Sequence, residues 1–166
     1  MITPDVILGK NCKIDDSTTV NNAILGDNVK IAKRCSVFGS TEKKLTIGDN
    51  TYIGMNSAII GYVDKISIGA YVSIAQNVYI MSDSGPNNEI MQRIFPTKVG
   101  EVSIGNLCWI GACSVIMPGV TLGKACIVGA NSFVNKSFDN YSVIGGNPAK
   151  LIRKLSKEEI TKIEAL

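Results

Sequence analysis

From Ile104 onward an apolar residue recurs at every sixth position: Ile104, Ile110, Ile116, Leu122, Val128 and Val134. Six is a multiple of the strand period of two and not of the helical 3.6, so all six side chains fall on one face of an extended chain. Glycine follows at 105, 111, 123 and 129, and Cys108, Ser114, Val120, Cys126 and Ser132 fill the fourth place after an apolar residue with small or slim groups. Short strands that turn after each hexad, with one large and one small residue sharing the interior, predict stacked coils whose backbones pair at about 4.8 Å. The glycines are expected to supply tight turns and close backbone approach. Alternating strands of a sandwich would not hold one fixed hexad phase. The fold class that follows is all-β, a parallel β-helix.

The same register runs through Leu25, Ile31 and Val37, then Ile47, Ile53 and Ile59, then Ile68, Ile74 and Ile80, with Leu8, Ile14 and Val20 as a more irregular first coil. Breaks in phase mark loops that leave the coil around Phe38 to Leu45, at Gly61 to Lys65 and, longest, over 85–101. Long loops on a repeat scaffold are where function usually sits. The repeat region is read as 1–144. Gly145-Gly146-Asn147-Pro148 then turns the chain out, and 145–166 is read as a turn and a short helix, all within a single domain. Ser156 with Glu159 has the form of a capping box, and Leu155 and Ile160 are spaced as its hydrophobic staple. The helix is expected to cover the open end of the stack.

Composition narrows the function. Hydrophobic residues make up 45% of the 166, yet no run approaches the roughly 18 apolar residues of a membrane helix, so no membrane insertion is expected. The first residues lack a secretory signal's basic-then-apolar pattern, which predicts a cytoplasmic protein. A net charge of +3 with aromatics not interleaved among basic residues gives no case for nucleic acid, whereas a small anionic ligand fits. The five cysteines, Cys12, Cys35, Cys108, Cys113 and Cys126, form no C-x-x-C pair, and the chain has no histidine. They read as reduced core residues, with no metal site.

The segment from Ile104 to Ala112, with Met117-Pro118-Gly119-Val120-Thr121-Leu122-Gly123 and Gly129-Ala130-Asn131-Ser132, resembles the hexapeptide-repeat acyltransferases. The ending Gly146-Asn147-Pro148-Ala149-Lys150-Leu151-Ile152-Arg153 is similar to that of their maltose, galactoside and polysaccharide O-acetyltransferase branch. The resemblance is specific from Ile104 to Arg153; earlier it rests on the repeat. It implies a left-handed β-helix, a homotrimer, and acetyl-coenzyme A bound as co-substrate in the cleft between subunits, with a carbohydrate acceptor. By the same resemblance Trp109 would pack beside the pantetheine or acceptor end, and Ala112 and Ala130 would offer backbone groups to the pantetheine arm. Asn135, Lys136, Lys150 and Arg153 would line the coenzyme's far end. Those types suit the chemistry: small side chains admit an amide-bearing arm, and Lys or Arg gives charge-assisted bonds to phosphate. Trp109, directly before the inward Ile110, is expected to face outward toward a ligand or subunit.

The family usually places a histidine at the end of the coil before the long loop, where it takes the acceptor's hydroxyl proton. The corresponding stretch here is Tyr79-Ile80-Met81-Ser82-Asp83-Ser84-Gly85-Pro86. Asp83 stands at or beside that position, Ser82 is the adjacent candidate, and Ser82 and Ser84 are candidate substrate contacts. A general base contributes about 10²–10⁴ in rate and works best with a pKa near the working pH. A free aspartate lies near 3.9 against about 6.5 for histidine, so the substitution is chemically costly. Three functions follow: acetyl transfer to a sugar hydroxyl in surface polysaccharide biosynthesis with Asp83 as base; N-acylation of an amino sugar, free or nucleotide-linked; or a binding protein that kept the coil without catalysis. An amine of pKa near 8 is partly neutral at pH 7 and needs less help than a hydroxyl. Arg93 and Lys98 in the long loop are further candidates for an acidic sugar or a nucleotide phosphate. The absent histidines count against the γ-class carbonic anhydrase and serine acetyltransferase relatives of the coil.

Overall fold

Each hexad forms one side of a three-sided coil in the computed structural model, which describes residues 1–165. The first face stacks strands Ile7–Leu8, Ala23–Leu25, Leu45–Ile47, Ile66–Ile68, Val102–Ile104 and Thr121–Leu122. The second stacks Lys13–Ile14, Lys30–Ile31, Tyr52–Ile53, Ser73–Ile74, Trp109–Ile110, Ile127–Val128 and Ser142–Gly145. The third stacks Thr19–Asn21, Ser36–Phe38, Ala58–Ile60, Tyr79–Met81, Val115–Ile116 and Phe133–Val134. Pairing between successive coils is parallel and in register, as in Ile68 opposite Ile104 and Ile74 opposite Ile110. The chain is a parallel β-helix. Among the described residues no helix is long and apolar enough to cross a membrane.

The hexad residues are the core. Ile104, Ile110, Ile116, Leu122, Val128 and Val134 are all buried, in columns with Ile47, Ile53, Ile59, Ile68, Ile74 and Ile80 below them. The first coil is looser, with Leu8 44% exposed where no coil covers it. The fourth-place residues do more than fit: Thr18, Thr51, Ser57 and Ser114 are buried, and each hydroxyl donates to a carbonyl one coil along, Ala32, Gly69, Ala75 and Gly129 respectively. Thr51 and Ser57 also accept the N–H of Val72 and Val78 at 3.1 Å. A group that is both donor and acceptor thus satisfies backbone atoms that the corner would otherwise bury unpaired. Cys35 and Cys108 make the same contact through Sγ, to the carbonyls of Gly54 and Gly123. Burial pushes the Cys35 thiol up, while the neighbouring Cys126 thiol and burial push Cys108 up.

Two expectations need correction. Cys113 is exposed and Cys12 half-buried, so the reduced-core reading holds for Cys35, Cys108 and Cys126 only. Cys113 leaves the core because it occupies a corner position with φ 59°. Gly105, Gly111 and Gly123 serve close approach and not the turn itself: a Cβ on Gly105 would meet the Gly123 carbonyl carbon at 2.7 Å, and one on Gly111 the Ala130 nitrogen at 2.5 Å, whereas one on Gly129 would find its nearest neighbour at 3.4 Å. The left-handed corners fall instead to Asn28, Asn50, Asn56, Asn77 and Asn131, and to Leu107, Cys113 and Ala125. Asparagine tolerates that backbone best among residues with a side chain.

The far end of the stack differs from expectation. Strand Lys150–Lys154, exposed throughout, turns back antiparallel on Ser142–Gly145 and is the element that pairs with the last coil. Helix α2 (Lys157–Glu164) carries the full Ser156–Glu159 capping box but buries none of its residues. It is tied to the corner between first and second faces, where Glu164 accepts from Lys124 Nζ at 3.0 Å and from the Tyr141 hydroxyl at 2.6 Å.

Replacing a hexad residue should cost far more than replacing its outward neighbour. Ile110→Ala is expected to lose about 2–5 kcal/mol, and Trp109→Ala to stay within about 0.5 kcal/mol, both measured by chemical denaturation.

Candidate active site

The long loop leaves at the corner between the third and first faces. Asp83–Ser84 and Lys98–Val99 form its antiparallel stem, with Asp83 opposite Val99 and Ser84 opposite Lys98. Helix α1 (Glu89–Gln92) sits at its tip, capped by the Asn88 side chain. Arg93 ends that helix and Lys98 lies in the stem, both exposed. Ser82 is fully buried: its Oγ accepts from the Asp64 N–H at 3.0 Å and its carbonyl from the Gly100 N–H at 2.9 Å. It ties two loop exits together, which removes it from the substrate-contact set. Asp83 and Ser84 are half-buried at the foot of the loop. The Asp83-Ser84-Gly85-Pro86 stretch continues as stem, with Asp83 paired through its backbone to the returning strand.

Trp109 faces outward from the second face, 54% exposed. Its outward row continues through Ile127 and Val143 to Arg153, three rungs or about 14 Å away at strand spacing. Ala112 and Ala130 lie beside this row, at the corner between second and third faces, one coil apart, where the Asn131 N–H donates to the Ala112 carbonyl at 2.8 Å. Lys150, opposite Gly145, stands at the top of the same corner. The strip thus carries an aromatic at one end, small side chains at its flanking corner and the cations Lys150 and Arg153 at the other end. Asn135 and Lys136 are elsewhere: they follow Phe133–Val134, at the corner where Asp83 emerges, and Lys136 Nζ sits 5.5 Å from the Phe138 ring centre. The sequence candidates therefore occupy two corners of the prism, separated by the third face.

Arg153 is already engaged. Its guanidinium makes a bidentate pair with Glu159 at 2.7 and 2.8 Å. Arg153 and the Ser156 N–H hold the Glu159 carboxyl down at about 2. Sequence reasoning missed this partner, although Glu159 was legible as the third residue of the capping box. Among the described residues no cluster of three metal-ligating side chains occurs.

Two family models match the chain: the bacterial transferase hexapeptide (six repeats) over residues 101–136 and the hexapeptide repeat of succinyl-transferase over 44–82. The dTDP-4-amino-4,6-dideoxy-D-glucose acyltransferase of Escherichia coli is 32% identical, covering 91% of this chain and 83% of its own. The putative colanic acid biosynthesis acetyltransferase of E. coli K12 is 35% identical over 82% of this chain and 72% of its own. A chloramphenicol acetyltransferase of Klebsiella aerogenes is 33% identical, but the match covers 60% of this chain and spans only 56% of that relative. Among solved structures, an N-acyltransferase from Bacillus cereus in complex with dTDP and coenzyme A superposes with a TM-score of 0.82 at 26% identity, covering 95% of this chain and 88% of that one.

The Arg153–Glu159 pair fixes a pH dependence. Glu159 is depressed below its unfolded value near 4.3, so its contribution is complete above that value and lost as pH falls toward about 2. An NMR titration of the Glu159 carboxyl is expected to show this, with release of α2 from its cap in the same range. Glu159→Gln should abolish the step.

Proposed function

We propose that this chain, which belongs to the hexapeptide-repeat acyltransferase family, transfers an acetyl group from acetyl-coenzyme A to a sugar hydroxyl, in cytoplasmic synthesis of a surface polysaccharide. The observation that carries the reading is Asp83, the one titratable side chain between Ile80 and Glu89, half-buried at the foot of the protruding loop. Its carboxylate takes the proton of the acceptor hydroxyl as the oxygen attacks the thioester carbonyl. The carbon–sulfur bond then breaks, and the thiolate of coenzyme A leaves and takes up a proton. Trp109 packs on the pantetheine end, Ala112 and Ala130 border the arm, and Lys150 and Arg153 meet the phosphates, with Glu159 holding the guanidinium in place until they do. Ser84, beside Asp83, contacts the acceptor.

One chain keeps Asp83, Asn135 and Lys136 a full face away from the Trp109–Arg153 strip, so neither corner holds a complete site. A homotrimer that sets one subunit's loop corner against its neighbour's strip joins them. The exposed loop residues Ile90, Ile94 and Phe95 support such a contact, since apolar groups grouped on one loop favour burial.

A specific observation favours N-acylation as the second reading. The relative aligned over 91% of this chain is named for a dTDP-linked 4-amino sugar, and a neutral amine attacks without a strong base.

Acetyl-coenzyme A consumption across hydroxyl and amino sugars decides between them. Asp83→Asn should lower hydroxyl acetylation by about 10²-fold with acetyl-coenzyme A affinity nearly unchanged; an unchanged rate with amines preferred favours N-acylation. Light scattering is expected to give a trimer, and a monomer at micromolar concentration would remove the shared site.

A further inference from the structure

The strip above Trp109 leaves the lower half of the second face without a role. Its outward row reads, in register and one rung apart, Lys13, Lys30, Tyr52, Ser73 and Trp109. Lys13 and Lys30 are exposed and directly opposite on neighbouring strands, a placement in which like charges destabilise a sheet. Two aromatics, Tyr52 at 42% and Trp109 at 54% exposure, stand two rungs or about 10 Å apart with the small Ser73 between them. An open groove of about 640 Å³ runs beside the lysines, lined by Lys13, Lys30, Lys33, Tyr52 and Met55 among others. Asp15 is the one acidic side chain in its lining, and it is committed to Ser17, whose N–H and hydroxyl donate to it at 3.0 and 2.6 Å.

We propose that this row is a track for an acidic oligosaccharide, whose carboxylates neutralise Lys13 and Lys30 while its rings lie on Tyr52 and lead to Trp109. The inference deepens the acyl-transfer reading by naming the acceptor as an anionic glycan chain, and rests on that reading for its purpose, not for the binding. The pattern favours a chain over a nucleotide. A base stacked on Tyr52 would set its phosphates on Lys30 and Lys13, and the attached sugar would then point away from Trp109 and the coenzyme strip. A glycan has a repeat comparable to one rung, carries charge on successive residues, and runs the four rungs from Lys13 to Trp109, about 19 Å.

Isothermal titration of the full chain with tetragalacturonate and with a sialic acid tetramer, against maltotetraose and dTDP, tests this. At least one acidic tetramer is expected to bind, more weakly as salt rises, with maltotetraose at least about tenfold weaker. Lys13→Ala with Lys30→Ala should weaken the acidic ligand by about tenfold or more. The thermal midpoint should hold or rise, because the repulsion is gone. Tyr52→Ala should weaken it without flattening the salt dependence. No binding of either acidic tetramer, affinity unaffected by the double substitution, or tighter binding of dTDP at the same lysines overturns the track. Wild-type turnover on small sugars without glycan binding overturns the track alone, whereas glycan binding without any turnover overturns the acyl-transfer reading alone.

Discussion

Everything in this molecule depends on backbone-to-backbone contact between successive coils. The 4.8 Å pairing distance fixes the rise of each coil, and that rise leaves no space for a Cβ where Gly48 faces Ala70 or Gly105 faces Gly123. The inward columns follow from the same constraint: once strands stack in register, Ile53, Ile74 and Ile110 must lie directly over one another. Hydroxyls at Thr51, Ser57 and Ser114 then take up backbone carbonyls at the corners, so the interior is apolar along the faces and carries hydrogen bonds at these corners. Packing, polar satisfaction and glycine placement are three results of one spacing.

Register also organises the outer surface. Any outward position is repeated one rung along, so a row of side chains forms a linear array whose composition can change at a chosen coil. On the second face it changes at Trp109, with cations and an aromatic on one side and a path to Arg153 on the other. Chemistry that needs groups from two corners cannot be assembled within one prism, because the corners diverge by the width of a face. Such a scaffold places groups along each corner with great regularity and keeps the corners apart.

The core was legible in the sequence because a period of six has few physical explanations, and each hexad residue from Ile104 to Val134 is buried. The outward orientation of Trp109 followed from the same count. The capping box of α2 was legible from Ser156 and Glu159, two residues whose spacing has one meaning. Strand Lys150–Lys154 was not, because it is exposed on both sides and so shows no alternation to read. The tie made by Ser82 is not legible in the sequence, because a serine before a loop looks the same whether it faces ligand or holds a neighbouring backbone; the position of Asp64 supplies the difference. The role of Arg153 was half-read for a similar reason: its charge was visible, and its engagement with Glu159 depended on how the chain folds back.

The stem Asp83–Ser84 with Lys98–Val99 closes the long loop before the coil resumes at Val102, which pairs directly with Ile66. The stack is therefore continuous beneath the loop, as if residues 85–101 had been threaded onto an uninterrupted spring. Variation beyond the stem, in residues 86–97, is insulated from the coils, whereas Gly100 is not, since a Cβ there would meet Gly119 Cα at 2.8 Å. A fold built this way can exchange one loop for another and change what that corner meets while the supporting coils keep their pairing.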